Sequence, residues 1–339
     1  MNQPSSQLNP TLVGENARRS DVNQPWEQDN QAWWDWYVTL ADDGGKPIGE
    51  LQDVGPLPTL ELPDDDALAA ELRTPYPLTP EDCAFFQANS YIKLKGVLSP
   101  GAVLRLRQEL VKLLSQAFNT PLDGGATERF FSLEMVWLDN PLLREYVLSP
   151  RIAKICAELL GVSRVRLYHD NVLSKEPGCG RTPWHYDDHH FPLATHDVVT
   201  AWIPAQPIPP AMGPLAFAGP MDVYKLVESL EFNKFDTSYD RQVAEFFKAN
   251  GIAVEDGPFE IGEVSFHHNL NFHTAEANRT RQSRVVLANT FYVDGAKVVD
   301  EPTMVSGDWQ KFMPGVQPGQ VAQSPLNPIC WPVEPTRGD

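Results

Sequence analysis

The stretch that decides the fold of this chain is Thr182–Pro192, which reads TPWHYDDHHFP. It places His185 and Asp187 one residue apart. Because successive side chains of an extended strand point to opposite faces, two residues with one between them share a face. An imidazole and a carboxylate on one side of a rigid strand can bind the same metal ion. The pair alone is weak evidence, since a chain with eight histidines can produce this spacing by chance, as a histidine beside a turn carboxylate.

A third metal ligand is expected far along the chain, at His273 in the segment Asn271–Thr274. An all-β fold brings such distant strands together. Two imidazoles and one carboxylate form the 2-His-1-carboxylate set of non-haem Fe(II) sites, which leaves coordination positions free for other ligands. The sequence therefore predicts an iron centre, which would also be the catalytic centre, formed by His185, Asp187 and His273.

The sequence around these residues predicts a mainly β domain with flanking helices. From Val165 onward, short strand-like runs are separated by Pro and Gly, which is typical of a double-stranded β-helix, the cupin-like jelly roll. The predicted strands are Val165–Lys175, Val198–Ile203, Leu215–Ala218, Glu263–His268 and Arg284–Val293.

Helices are predicted before this sheet. Thr79-Pro80, Ser99-Pro100 and Ser149-Pro150 each combine an N-cap side chain with a first-turn proline, and Gly161 would end the last of these helices. We expect the helices to pack on the outside of the sheet.

Composition divides the chain into three regions. Residues 1–75, rich in Pro, Asn, Gln and acidic residues, are expected to form a partly flexible N-terminal extension, residues 76–310 the jelly-roll domain and residues 311–339 a C-terminal tail. The aromatic cluster Trp33–Tyr37 in the extension would pack on the domain, contact a second subunit or roof the pocket. A helical insertion at about 222–251 would be a lid or a surface excursion.

The net charge of −18 argues against nucleic acid and anionic membrane surfaces as partners, because both attract basic faces. No apolar run reaches the ~18 residues that span a bilayer, and the first residues lack the pattern of a secretory leader. The four cysteines show neither CxxC nor zinc-finger spacing, which favours reduced thiols. A cytoplasmic protein is therefore expected, and a homodimer stays open.

Seven segments add a further signal, because they occur in a recognisable order: Leu78–Glu81, Tyr91–Ser99, His169–Gly178, Thr182–Pro192, Ala201–Pro204, Gly213–Phe217 and Gly262–His268. From about Leu78 to Asp308 the chain resembles the phytanoyl-CoA dioxygenase family of Fe(II)/2-oxoglutarate oxygenases. The resemblance implies a dioxygenase that uses Fe(II), 2-oxoglutarate and O2, releases succinate and CO2, and oxidises a carbon atom of its substrate.

The resemblance also implies a binding site for 2-oxoglutarate. Its far carboxylate needs a cation, and a guanidinium matches a carboxylate with two parallel hydrogen bonds. Arg284, eleven positions after His273, stands where the family has this arginine, with Arg281 as a rival. Trp202 matches a family position that lines the pocket. Asn171 is a candidate for the metal-bound end, with a structural role as an equal alternative.

The chain departs from the family at several places. Glu134 and Met135 stand near the position of a lysine that binds 2-oxoglutarate in the CoA-using member, so Lys175, which shares a strand face with Asn171, is the candidate substitute. Gly219–Met221 replaces a Gly-Ser-His or Gly-Thr-His turn, and the long acidic extension has no clear counterpart. These departures favour a small organic substrate, such as an intermediate of secondary metabolism.

Substrate contact is expected at His189 and Phe191, since His189 matches a family position close to the iron. His267 and His268 are adjacent on a predicted strand, so one should face the core and the other should not. Hydroxylation is the expected reaction, with desaturation, epoxidation and cyclisation open. The alternatives are an oxygenase of acyl-CoA, a jelly-roll binding protein without turnover, and a hydrolase or isomerase that uses zinc or manganese.

Overall fold

The computed structural model describes residues 30–41, 48–123, 128–227, 230, 238–302 and 307–333. The predictions made for residues 1–29, for part of the insertion and for residues 334–339 lie outside these ranges. The helices are α1 Asn30–Tyr37, α2 Asp65–Arg73, α3 Pro80–Asn89, α4 Pro100–Phe118, α5 Pro141–Val147, α6 Pro150–Leu160, α7 Val223–Val227 and α8 Ser238–Asn250. The strands are β1 Tyr91–Leu94, β2 Phe130–Glu134, β3 Val165–Lys175, β4 Thr182–His185, β5 Val198–Pro204, β6 Leu215–Ala218, β7 Val254–Glu255, β8 Val264–His268, β9 Phe272–Ala275, β10 Arg284–Val293 and β11 Ile329–Trp331.

Two antiparallel sheets form the core of the molecule. The major sheet has the order β1-β8-β5-β10-β3-β11, with β2 also paired to β3, and the minor sheet has the order β4-β9-β6-β7. An apolar cluster that joins Trp202 and Val286 of the major sheet to Leu215 and Phe217 of the minor sheet shows that the sheets pack face to face. This is the predicted jelly roll.

The strand predictions agree closely with the structure. The bounds of β3, β6 and β10 are those predicted from the sequence, and β5 and β8 each differ by one residue. The side chains of Thr79, Ser99 and Ser149 cap α3, α4 and α6, and Gly161 ends α6 in the left-handed region. These helices cover the outer face of the major sheet, as expected, through a shared apolar core.

The described part of the insertion covers the outer face of the minor sheet. Phe247 of α8 packs edge-on against Trp184, with ring centroids 5.0 Å apart, and also against Phe272. Trp184 and Phe272 directly precede His185 and His273, so their side chains lie on the opposite face from the imidazoles. The described helices of the insertion therefore pack on the outer face of the minor sheet, and the choice between a lid and a surface excursion stays a prediction.

Two observations bear on the expectations from composition. All four cysteines are free thiols, and Cys156, Cys179 and Cys330 are buried. None of the helices in the described ranges is both long and apolar enough to cross a bilayer.

Asp170 is a buried carboxyl on the outer face of β3. One oxygen accepts a hydrogen bond from the backbone N–H of Val136 at 2.9 Å. The other oxygen, and Oδ1 of the cross-strand neighbour Asn289, have no hydrogen-bond partner among the described residues. Burial raises the pKa of Asp170 to about 7. A protonated carboxyl can donate to Asn289, whereas a carboxylate only accepts.

We expect Asp170→Asn to stabilise the protein at pH 8 and to have little effect near pH 4. The folded-state pKa of about 7 exceeds the ordinary value of 3.8, so the folded protein binds more protons than the unfolded chain between these values. Stability conferred by Asp170 is therefore lost as the pH rises through this window. The amide does not titrate, and its advantage at pH 8 should be on the order of 1 kcal/mol or more.

Denaturant unfolding at both pH values measures the difference between the two proteins. Asp66→Asn on the exposed surface of α2 is the matched control and should change stability equally little at both. An Asp170→Asn variant less stable than the parent at pH 8 would contradict the assignment.

Candidate metal centre

The structure brings together the three predicted metal ligands. His185 ends β4 and is the register partner of His273 on β9, and Asp187 follows in the turn after β4. Nε2 of His185 lies 3.6 Å from Oδ1 of Asp187, and Nε2 of His273 lies 3.9 Å from Oδ2. The ligand atoms of the three residues all lie within 4.8 Å of one another.

Hydrogen bonds to the backbone fix the orientation of both imidazoles. Nδ1 of His185 lies 2.8 Å from the carbonyl oxygen of Pro183, and Nδ1 of His273 lies 3.0 Å from that of Asn271. A carbonyl oxygen only accepts, so each Nδ1 carries the hydrogen and each Nε2 directs its lone pair toward Asp187. Metal-binding histidines are oriented in this way by a second hydrogen bond.

The protonation states of the three residues fit a divalent metal ion. Burial lowers the pKa of His185 and of His273, which favours neutral imidazoles. Burial by itself would raise the pKa of Asp187, but the nearby imidazoles, His273 first, outweigh it and hold the pKa below its ordinary value. Two neutral nitrogen donors and one ionised carboxylate are the set that non-haem iron requires.

A further imidazole, which the sequence did not assign to the site, lies beside the triad. Nε2 of His267 is 3.6 Å from Oδ2 of Asp187, and its ring centroid is 4.6 Å from that of His273. His268 points to the other face of β8 but is also buried, near Phe86 of α3. The two side chains point to opposite faces as predicted, but the prediction that only one of them faces a core is wrong, because α3 covers the outer face.

Two buried cations form a second polar group in the barrel. Arg284 and Lys175 are register partners on β10 and β3. The Arg284 guanidinium lies 5.3 Å from the ring centre of Trp202 and donates a hydrogen bond to the carbonyl oxygen of Gly213 at 2.6 Å. Nζ of Lys175 donates to the carbonyl oxygens of Ala275 and Glu276 at 3.2 and 2.8 Å.

These cations lack a counter-ion within the described ranges, where no carboxylate forms an ion pair with either. Burial, followed by the charge of Arg284, lowers the pKa of Lys175 well below its ordinary value, and burial lowers the pKa of Arg284 to about 10. Burying an uncompensated charge is costly. The arrangement is therefore suited to an anion.

The cations lie close to the candidate metal centre. Ala275 is two residues beyond His273, so the contact of Lys175 with β9 lies about 7 Å along the strand from this candidate metal ligand.

The remaining candidates from the sequence lie in different surroundings. Asn171 is half-buried on the inner face of β3, and its Oδ1 accepts from the Ser132 hydroxyl at 2.8 Å. His189 is hydrogen-bonded through Nε2 to the Tyr186 hydroxyl at 2.9 Å. Phe191 packs in an apolar cluster beside Tyr168. A substrate role for His189 and Phe191 stays a prediction.

Arg281, the rival of Arg284, lies at the surface. Its side chain is 60% exposed, and its nearest carboxylate is that of Glu50 at 3.9 Å. Arg284 is 2% exposed and lies inside the barrel. The two arginines therefore occupy different environments, and only Arg284 faces the interior.

The N-terminal helix α1 reaches the metal centre. The ring of Tyr37 is buried and meets the ring of His185 edge-on, with centroids 5.8 Å apart. Trp34 stacks on Phe130 of β2 at 4.3 Å. The described part of the aromatic cluster therefore packs on the domain and forms part of the wall beside a metal ligand.

Comparison with protein families adds an independent result. The family model described as phytanoyl-CoA dioxygenase (PhyH) matches residues 86–286, a range that includes His185, Asp187, His273 and Arg284. The peroxisomal phytanoyl-CoA dioxygenase of Mus musculus is 23% identical over 253 residues, which cover 69% of this chain and 73% of that protein.

Solved structures show the same fold. The alpha ketoglutarate dependent carbocyclase SnoK from nogalamycin biosynthesis has a TM-score of 0.59 and 23% identity, over 76% of this chain and 99% of that chain. EctD from S. alaskensis, solved with 2-oxoglutarate and 5-hydroxyectoine, has a TM-score of 0.55 and 16% identity, over 81% of this chain and 94% of that chain. These similarities support the jelly roll.

We expect His185→Ala, Asp187→Ala and His273→Ala each to lower the affinity for Mn²⁺ by more than about 100-fold, because loss of a direct ligand should exceed the 10–100-fold cost of losing an outer hydrogen bond. Calorimetric titration of the purified protein measures this affinity. His196→Ala, which removes an exposed imidazole, is the control and should bind like the parent. A triad variant with unchanged affinity would remove that residue from the metal site.

Proposed function

This chain belongs to the phytanoyl-CoA dioxygenase family of Fe(II)/2-oxoglutarate-dependent oxygenases, and from this premise we propose that it oxidises a small organic molecule with O2 and 2-oxoglutarate. One observation carries the proposal: a 2-His-1-carboxylate group and a buried pair of cations share one barrel. The three ligands suit Fe(II), and the cations suit the far carboxylate of a short dicarboxylate.

The residues of this chain would hold and orient the reactants. His185, Asp187 and His273 would bind iron and leave positions free on the metal. When bound, iron and 2-oxoglutarate supply the oxidising chemistry, with release of succinate and CO2. Arg284 would hold the far carboxylate of 2-oxoglutarate through two parallel hydrogen bonds, and Lys175 would add a second positive charge.

Two neighbours would keep this co-substrate in one orientation. The ring of Trp202 lies against the guanidinium of Arg284, which limits the positions open to the arginine. Asn171 and Trp202 both pair with Ala288 of β10, on its two sides, so they lie in one row of the major sheet. We assign Asn171 to the metal-bound end of 2-oxoglutarate.

The charge distribution favours a neutral or weakly charged substrate over an acyl-CoA. The chain has a net charge of −18, which repels the phosphates of coenzyme A over a long range. Arg181, a largely buried cation near the barrel, already forms ion pairs with Asp240 and Glu276. Lys175 is buried beside Arg284 and is not part of a basic surface patch.

Among oxidations of small organic molecules, we propose that the reaction is a hydroxylation of a natural-product intermediate. The solved structures with the same fold include the epimerase SnoN in complex with Fe3+, alpha ketoglutarate and nogalamycin RO. A jelly-roll binding protein without turnover would not require both the iron ligands and the buried cations. A zinc or manganese hydrolase would leave Arg284 and Lys175 without a role.

We expect Arg284→Ala to raise the apparent KM for 2-oxoglutarate by about 30-fold or more, since loss of a buried charge-assisted contact costs on the order of 2–5 kcal/mol. Arg281→Ala is the matched control and should leave the KM unchanged, because its side chain is exposed. Succinate release with Fe(II) and O2 measures turnover, and binding of 2-oxoglutarate to the Mn²⁺ protein measures affinity. A parent protein that binds metal but consumes no 2-oxoglutarate would refute the proposed function. The reverse ranking of the two variants would move the assignment to Arg281.

A further test concerns the substrate. An acyl-CoA added to the protein loaded with metal and 2-oxoglutarate at moderate salt should bind with a Kd weaker than about 100 µM, because the overall charge opposes it. It should also leave the rate of 2-oxoglutarate consumption unchanged. Parallel titrations with the free acid of the same acyl chain, and with a neutral ester of it, separate the effect of charge on binding from the effect of shape. Micromolar binding coupled to consumption would restore the acyl-CoA substrate.

A further inference from the structure

His267 lies within the metal centre without being one of the three clustered ligands. It is buried on the inner face of β8, in register with Thr200 of β5 and Tyr91 of β1. Its ring contacts those of His273 and Phe217, with centroids 4.6 and 5.8 Å away. Its Nε2 is 3.6 Å from Oδ2 of Asp187.

The chemistry of the two groups fixes the tautomer of His267. His185 and His273 hold their hydrogen on Nδ1 against a carbonyl oxygen, but Nδ1 of His267 has no such partner within the described ranges, so its hydrogen lies on Nε2, where the carboxylate of Asp187 can accept it. The lone pair of the ring then lies on Nδ1. This atom is buried and has no hydrogen-bond partner within the described ranges. Among the described residues the ring therefore has one polar contact, and that contact is with Asp187.

We infer that His267 is a positioning residue: the N–H at its Nε2 faces Oδ2 of Asp187, 3.6 Å away, and would shorten to a hydrogen bond when the carboxylate binds a metal ion. This inference rests on the proposed function, because its consequence concerns the iron centre. With Oδ2 held by His267, Oδ1, which lies 3.6 Å from Nε2 of His185, is the oxygen left for the metal. Asp187 would then bind through one oxygen only. The coordination positions needed by 2-oxoglutarate and O2 would stay free.

The alternative is that His267 is itself a fourth ligand. The ligand atoms that lie within 4.8 Å of one another belong to His185, Asp187 and His273, and His267 is not among them. Its Nε2 faces Oδ2 of Asp187, 3.6 Å away. The geometry therefore favours a contact with the carboxylate over a direct bond to the metal.

Titration with Co²⁺ tests the inference without turnover, because the visible absorption of Co²⁺ reports the number of its ligands. His267→Phe keeps a ring of similar size and removes the donor, whereas His267→Gln retains an N–H. We expect His267→Phe to bind Co²⁺ about 10–100-fold more weakly than the parent, as for other hydrogen bonds to metal ligands. Its spectrum should show an added oxygen ligand. His267→Gln should recover most of the affinity and the parent spectrum.

The controls distinguish the outcomes. Thr200→Val alters a buried polar residue in the same row of the sheet and should leave the Co²⁺ spectrum unchanged. If His267→Phe retains the parent affinity and spectrum, the positioning role is refuted. If both His267 variants lose Co²⁺ as completely as His273→Ala, His267 is a ligand and the inference is wrong. Absence of 2-oxoglutarate consumption by the parent would refute the proposed function alone, since the spectrum reports the Asp187 contact independently.

Discussion

The register between β4 and β9 is the constraint on which the site depends. It sets His185 opposite His273, although the two residues are far apart in the chain. A slip of one residue would turn an imidazole to the outer face of the sheet. Contacts on both sides of the pair oppose such a slip. Thr274 donates its hydroxyl hydrogen to the carbonyl oxygen of Thr182, and the N–H of Trp184 donates to Asp240 of α8 at 3.0 Å. Helix α8 of the insertion therefore helps to hold the candidate metal centre in place from behind.

The same strand also relates the metal centre to the cations. Nζ of Lys175 donates a hydrogen bond to the carbonyl oxygen of Ala275, two residues along β9 from His273. Arg284 lies beside Lys175. One end of this interior therefore carries the carboxylate of Asp187, and the other carries the basic side chains of Lys175 and Arg284. A dicarboxylate in this space would be oriented by charge. Lys175 and Arg284 would attract one of its carboxylates, and Asp187 would repel the other unless a metal ion lies between them. This separation would let a chain of strongly negative net charge bind an anion at the end that carries Lys175 and Arg284.

Much of this arrangement could be predicted from the sequence. Strand bounds follow from local periodicity and turn residues, helix starts from capping side chains, and the triad from ligand type and spacing. Other features could not be predicted, because they depend on contacts between distant segments. The position of His267 at Asp187 follows from the pairing of β8 with β1 and β5, which no local pattern specifies. The approach of Tyr37 to His185 joins segments almost 150 residues apart. That Lys175 and Arg284 are neighbours follows from the register of β3 with β10.

The outer face of the major sheet explains how two like charges are kept side by side inside it. Ser283, the residue before Arg284, donates its hydroxyl hydrogen to Glu176 at 2.7 Å, and its carbonyl oxygen accepts from Gln206 at 2.8 Å. Glu176, the residue after Lys175, also accepts from the hydroxyl of Ser174 at 2.6 Å. Because neighbours along a strand point to opposite faces, these outer hydrogen bonds fix the backbone from which both cations project inward. Glu176, the carboxylate nearest to Lys175 in sequence, is thereby held on the outer face. Hydroxyl groups satisfy its hydrogen bonds there, and it does not form an ion pair with Lys175. On the inner face, Lys175 and Arg284 are therefore left without a carboxylate partner among the described residues.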